Sequence, residues 1–165
     1  GNDFTIMSGD DGMTFEMMTD PAINAAGVIS VASNVAPKAV GEMVALTNSG
    51  EIEKARALAE KLQPLFDLVT VTTTEQTPFG EVVCRARNPL AYKALAAILG
   101  MPVGPCRQPL GKMSPNGLNA VLAAVHSVYR YSPEILQPVA DFFGVDLVER
   151  LENPASWEGL AYDAY

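Results

Sequence analysis

The chain has 165 residues, 48% of them hydrophobic, and 19 acidic against 11 basic side chains give a net charge of -8. That length and a slightly positive mean hydropathy suit one packed globular core and argue against disorder. The basic residues stand singly or in pairs, so nothing offsets repulsion from a phosphate backbone or an anionic membrane, and neither nucleic acid nor membrane is expected as a partner.

The first element is a short β-compatible run, Phe4-Thr5-Ile6-Met7, which ends at the turn signals Ser8-Gly9-Asp10-Asp11-Gly12. A short helix is predicted from about Met13 to Met18, stopped by Asp20-Pro21. Gly27 to Ala32, GVISVA, is apolar on both faces and reads as a strand buried on both sides, as in a parallel sheet. Pro37 fits a first helical position, with Val40, Met43, Val44 and Thr47 at helical spacing up to Asn48-Ser49-Gly50. Glu51 opens a longer helix whose stripe is Ile52, Ala55, Ala59, Leu62, Phe66 and Val69, and Pro64 should kink or divide it.

Asn88-Pro89 reads as the cap and first turn of a helix to Leu99, closed by Gly100. Residues 100–114 hold three prolines and three glycines and read as an irregular crossing segment. Ser114-Pro115 starts a helix toward Tyr129, Ser132-Pro133 one toward Phe143, and the tail from Asn153 shows no clear period. The balance is two strands near the start and five or six helices. Two buried parallel strands do not make a stable sheet alone, because their edges and faces stay bare. Further strands must come from another chain, or the sequence is the end piece of a larger α/β domain. It opens Gly1-Asn2-Asp3 rather than Met, so residue 1 is not expected to be the natural start.

Cys84 and Cys106 lack C-x-x-C spacing, and the single His126 cannot supply a histidine-based zinc cluster. Neither a metal nor a disulfide framework is expected, and a reducing cytoplasmic compartment fits. No apolar run reaches the ~18 residues of a membrane span, and no leader pattern is present. His126 reads as a packed or capping residue on an apolar helix face. The five lysines, Lys38, Lys54, Lys61, Lys93 and Lys112, read as solvated charges on helices or loops.

The pair Asp10 and Asp11 is open to three readings: a metal site, a catalytic pair, or a tight turn that ends a strand and caps a helix. An EF-hand, a phosphate loop and a glycosidase pair all fail on spacing.

In order and spacing, Ser8-Gly9-Asp10-Asp11, GVISVASNVAPK from Gly27 to Lys38, KARALAEKLQPLF from Lys54 to Phe66, NPLAYKALAAILG from Asn88 to Gly100 and RQPLGKMS from Arg107 to Ser114 resemble the C-terminal part of the dihydrodipicolinate synthase (4-hydroxy-tetrahydrodipicolinate synthase) family. This is a family of pyruvate-dependent class I aldolases, and the resemblance is closer to the synthases than to N-acetylneuraminate lyase. It covers residues 1 to about 125.

The resemblance implies an α/β fold: the last piece of an eight-stranded βα (TIM) barrel followed by a helical domain, in a chain that is itself mostly α. Residues 1–50 would be the last two βα units, 51–130 the C-terminal helical domain, and 131–165 a helical extension and tail. It further implies that Gly9, with Asp10, borders the pyruvate pocket at the C-terminal end of a barrel strand, where such enzymes place their sites. It also implies that the carbonyl of Ile29 lies beside the active-site lysine. As a residue in a buried parallel strand, Ile29 reads as core filler, and Ser30 and Asn34 are weaker rim candidates.

The family condenses pyruvate with aspartate semialdehyde through a lysine Schiff base, in lysine and diaminopimelate synthesis, without a cofactor. That lysine and its tyrosine and threonine partners belong to earlier strands and have no equivalent here. The chain alone is therefore expected to be inactive, with no catalytic residue of its own, and to form a homo-oligomer. The alternative is a non-enzymatic helical oligomerisation or interaction module of the same family. Trp157, Tyr162 and Tyr165 are expected to anchor the tail on a neighbouring surface.

Overall fold

The computed structural model describes residues 4–163. The described chain is mostly helical. Helix α1 (Thr14–Thr19) is followed by α2 (Pro37–Asn48) and α3 (Ile52–Phe66), then a hairpin of β1 (Thr70–Thr77) and β2 (Gly80–Arg87). Next come α4 (Leu90–Ile98), α5 (Pro115–Tyr131), α6 (Gln137–Phe143) and α7 (Leu147–Glu152). Tyr165 and residues 1–3 lie outside the described residues.

Where residue chemistry is local, the expected elements form. Pro37 sits at the start of α2, and Ala39, Val40, Met43 and Thr47 bury one face. Ala55, Leu62, Leu65 and Phe66 of α3 face the same core. Ser114 caps α5, its Oγ accepting from the Gly117 amide at 3.1 Å. Packed against α3, α4 and β1, α5 supplies Val121, Val125 and Val128 to the centre.

Several expectations fail. Phe4–Met7 and Gly27–Ala32 are not ladder strands. They meet through a single parallel bridge, Ser8 to Val28, with the Ala26 amide donating to the Ile6 carbonyl at 2.9 Å, Ser8 to Gly27 at 2.8 Å and Ile29 to Ser8 at 2.8 Å. The chain then turns into a 3-10 segment at Ala32–Asn34. Neither segment has a further neighbour among the described residues, so the ladder does not extend. Pro64 does not divide α3, which continues to Phe66; the proline lies in the last turn, where only the carbonyl of solvent-facing Glu60 loses a donor. Helix α4 begins one residue later than expected, with Pro89 at its cap and no side-chain capping bond from Asn88. The helix expected from Pro133 breaks into a 3-10 turn, Pro133–Ile135, and α6, because Pro138 opens a new first turn.

The hairpin was not foreseen. VTVTTTEQTPFGEVVCRAR alternates, with Thr77-Pro78-Phe79-Gly80 as a two-residue turn. Its inner face carries Val71, Glu75 and Ala86 onto the helical core. Glu75 is buried, and its Oε1 accepts from the Asn116 amide at 3.0 Å in the first turn of α5.

The tail also packs on its own chain. Trp157, Leu160 and Ala161 lie against the core, and Met113 bridges Ala161 in parallel. Arg150 of α7 donates from Nε to the Ile98 carbonyl at 2.7 Å and from Nη2 to the Ala97 carbonyl at 2.6 Å. That places a cation on the open C-terminal end of α4.

Candidate functional site

The loop Ser8–Thr14 joins the first extended segment to α1 and is braced by its own short side chains. Ser8 Oγ donates to the Asp10 carbonyl at 2.9 Å, and Thr14 Oγ1 donates to the same carbonyl at 2.8 Å and lies 3.1 Å from Ser8 Oγ. Ser8 and Thr14 are fully buried. Asp10 is exposed and caps the turn, its Oδ1 accepting from the Met13 amide at 3.3 Å.

Asp11 plays a different part from its neighbour. Only 3% exposed, it reaches across to the other segment, where Oδ2 accepts from the Val31 amide at 3.0 Å and the Ala32 amide at 2.9 Å. A charged acceptor thus ties the loop after the first segment to the 3-10 turn after the second. Its Oδ1 is buried without a partner among the described residues. Of the three readings of the paired acids, the bonding observed is that of the turn and cap.

Gly9 is exposed, and a methyl group added to it would meet nothing within 4 Å. Ile29 is tied to Ser8 through its amide, but its side chain is 75% exposed, which corrects its reading as core filler. The cause is the two-segment ladder, whose outer face has no covering layer among the described residues: Phe4, Ile6 and Met7 are exposed as well. Gly9, Asp10 and Ile29 therefore meet at one open loop cluster rather than in a closed pocket. The cleft beside them, about 320 Å³, is lined by Met7, Gly27, Val28, Ser30, Ser33 and Val44, among others, and includes none of the three. Asn34 is exposed and donates from Nδ2 to the Val31 carbonyl at 2.9 Å.

Tyr92, which is not among the residues singled out from the sequence, joins α4 to α3. It is buried, its hydroxyl donates to the Leu65 carbonyl at 2.6 Å, and its acidity is strongly weakened, first by burial and then by the charges of Asp11, Asp67 and Asp10. Its position within the apolar run of α4 was the only available signal, and that signal also fits a core aromatic.

The other singled-out residues lie apart. His126 is exposed on α5, not packed, because the apolar stripe runs through Val121, Val125 and Val128. Lys93 is half-buried, donating to the Pro105 carbonyl at 3.1 Å, in a cleft of about 220 Å³ with Lys112, Cys106 and Leu160 among its lining. The other lysines are exposed. Both cysteines are free and half-buried. Among the described residues, no group of three or more His, Cys, Asp or Glu is placed to hold a metal ion, and no helix is long and apolar enough to cross a membrane.

The chain is 38% identical over 111 residues to a 4-hydroxy-tetrahydrodipicolinate synthase of Methanothrix thermoacetophila, covering 67% of this chain and 32% of that protein. To the enzyme of the same name from Aquifex aeolicus it is 35% identical over 119 residues, covering 72% and 35%. The solved dihydrodipicolinate synthase of Thermotoga maritima superposes with a TM-score of 0.60 at 32% identity, over 76% of this chain and 37% of that one. The 4-hydroxy-tetrahydrodipicolinate synthase of Methylacidiphilum fumariolicum SolV superposes with 0.63 at 29% identity, over 84% and 39%. The chain thus spans about a third of the length of the curated relatives it matches. The model of the dihydrodipicolinate synthetase family matches residues 1–128, and the chain belongs to that family.

Proposed function

We propose that these residues form the closing part of a pyruvate-dependent synthase barrel, which condenses pyruvate with aspartate semialdehyde in lysine and diaminopimelate synthesis. In this reading, residues 1–50 are the last two βα units, 51–130 the C-terminal helical domain, and 131–165 a helical extension. The observation that carries it is the parallel pairing of residues 6–8 with 26–29, locked by Asp11 and exposed on one face at Phe4 and Ile29. Two adjacent barrel strands have this geometry, and their uncovered edge and face are what further strands would bury. The location is then cytoplasmic, and no cofactor or metal is called for.

Gly9, Asp10 and Ile29 are the pocket residues on this reading. Gly9 leaves room beside the bound keto acid, Asp10 holds the turn, and the Ile29 carbonyl faces the Schiff-base lysine. That lysine is outside these 165 residues, as are its tyrosine and threonine partners. The five lysines present sit on helices or in one loop, none of them on a parallel strand where the family's nucleophile stands, so the chain alone is inactive. Incubation with pyruvate and borohydride, followed by intact-mass analysis, should show no adduct. Pyruvate trapped on Lys38, Lys54, Lys61, Lys93 or Lys112 would overturn the assignment and name the nucleophile.

A second reading, a non-enzymatic interaction module, is favoured by the exposed apolar side chains Phe4, Ile6, Met7 and Ile29. It predicts a stable homo-oligomer that covers this face. It also predicts no recovery of aspartate semialdehyde consumption when the chain is co-expressed with the first six βα units of a relative. On the synthase reading, co-expression restores the reaction.

A further inference from the structure

The hairpin presents one blocked edge and one open edge. On β1 the Asn116 side-chain amide donates to the Thr74 carbonyl at 2.7 Å, and α5 packs alongside. Among the described residues, strand β2 pairs with β1 alone. Thr74 is opposite Val83 in the register, and its carbonyl is taken up by Asn116, so this is a widely spaced pair whose β2 member points its own amide and carbonyl away from β1. The phase is confirmed at the far end, where the Asn88 amide donates to the Val69 carbonyl at 2.9 Å, an odd-numbered β1-side residue like Val71 and Thr73. Residues 81, 83 and 85 of β2 therefore offer outward backbone groups.

Their side chains share the outer sheet face with Val83, 66% exposed, and next to them at the turn stands Phe79, 99% exposed. Glu81, Arg85 and Arg87 are exposed as well. The edge holds no proline or bulge, and its exposed charges are of both signs, Glu81 against Arg85 and Arg87, so they repel other strands without excluding a partner of matching pattern.

We propose that β2 is a homodimerisation edge, pairing antiparallel with β2 of a second copy about a two-fold axis through Val83. This goes beyond the function proposed above and does not depend on it. The evidence for a second copy is self-complementarity. Centred on Val83, the register sets Glu81 opposite Arg85 of the other copy, twice by symmetry, and Val83 on Val83. Moving the axis one residue, to Cys84, would set Val83 against Arg85 and leave the valine uncovered. One strand edge is a small interface, so the dimer should dissociate on dilution.

Sedimentation velocity over about 5 to 500 µM should show a reversible monomer–dimer equilibrium. Val83→Lys should be monomeric with an unchanged far-UV spectrum. Glu81→Arg should weaken dimerisation about tenfold, from two opposed like charges, and Glu81→Arg with Arg85→Glu should restore it. In a Cys84→Ser background, Val83→Cys should oxidise to a disulfide-linked dimer bridged at position 83. The proposal is overturned if no dimer forms, if the dimer survives Val83→Lys, or if the parent cross-links through Cys84 while the Val83→Cys variant does not. Survival of the dimer in Val83→Lys would exclude this edge while leaving the synthase reading untouched.

Discussion

Truncating Asp11 tests whether the loop cluster is held from within. The side chain is 3% exposed and receives two backbone amides, Val31 at 3.0 Å and Ala32 at 2.9 Å. A hydrogen bond to a charged group contributes about 1.5–3 kcal/mol net, and two buried amides left without an acceptor cost a comparable amount. Burying the carboxylate, with Oδ1 unpartnered among the described residues, offsets part of the gain. Asp11→Ala should therefore destabilise the chain by about 2–4 kcal/mol. Asp11→Asn keeps an acceptor without the charge and should cost about 1–2 kcal/mol. Urea unfolding followed by circular dichroism reads this as a lower midpoint at unchanged m-value. Amide exchange at Val31 and Ala32 should lose protection in the alanine variant. An alanine variant within about 0.5 kcal/mol of the parent, or amides at 31 and 32 that stay protected, would show that the turn stands without Asp11.

Three further outcomes follow from the packing. Tyr92→Phe removes the bond to the Leu65 carbonyl and should cost about 1 kcal/mol near neutral pH. Because the folded phenol ionises above its unfolded value, its contribution is fully present below about pH 10 and is lost as pH rises through the folded pKa. The parent should thus lose stability in alkali more steeply than Tyr92→Phe, as measured by urea midpoints across that range. Arg150→Ala frees the Ala97 and Ile98 carbonyls at the end of α4 and should cost about 2 kcal/mol, with Arg150→Lys recovering less than half because an ammonium cannot span both acceptors. Gly111→Ala should cost about 1–3 kcal/mol from backbone strain alone, since Gly111 has φ +65°, and its added methyl would lie 2.2 Å from the Tyr162 hydroxyl. Calorimetric Tm together with tail protection in amide exchange checks both variants.

The legible parts of the sequence were those whose cause is local. Pro37 and Gly50 bound α2, Ser114 caps α5, and the 3.6-residue stripe of α3 finds the core. A strand instead needs a neighbour, which its own residues do not supply. GVISVA has the composition of a doubly buried strand, but Ile29 stands in solvent, because periodicity reports what a segment is built to pack against and not whether that layer is present. The hairpin was missed for the converse reason. Its threonines and charges follow an alternation that hides among polar residues, and its one buried acid, Glu75, takes its meaning from α5, 41 residues away. In the loop, SGDD announced a turn, but only the folded chain separates Asp10, which bonds within its own turn, from Asp11, which clasps a turn about 20 residues on.

That separation bears on how such a site is built. A pocket at the end of parallel strands draws each wall from a different strand–loop unit, so the walls keep their spacing only if neighbouring loops are tied together. Asp11 is such a tie. It fixes the Gly9 loop relative to the backbone after Ile29 through two amides, without entering the open space that Gly9 leaves. The bond joins adjacent units and uses nothing from elsewhere in the chain, so the geometry of this corner persists while its outer face is bare. On the barrel reading proposed above, the exposed Ile29 and the buried Asp11 have one explanation: the internal clasp is complete, and the apolar face outside it is what further strands would cover.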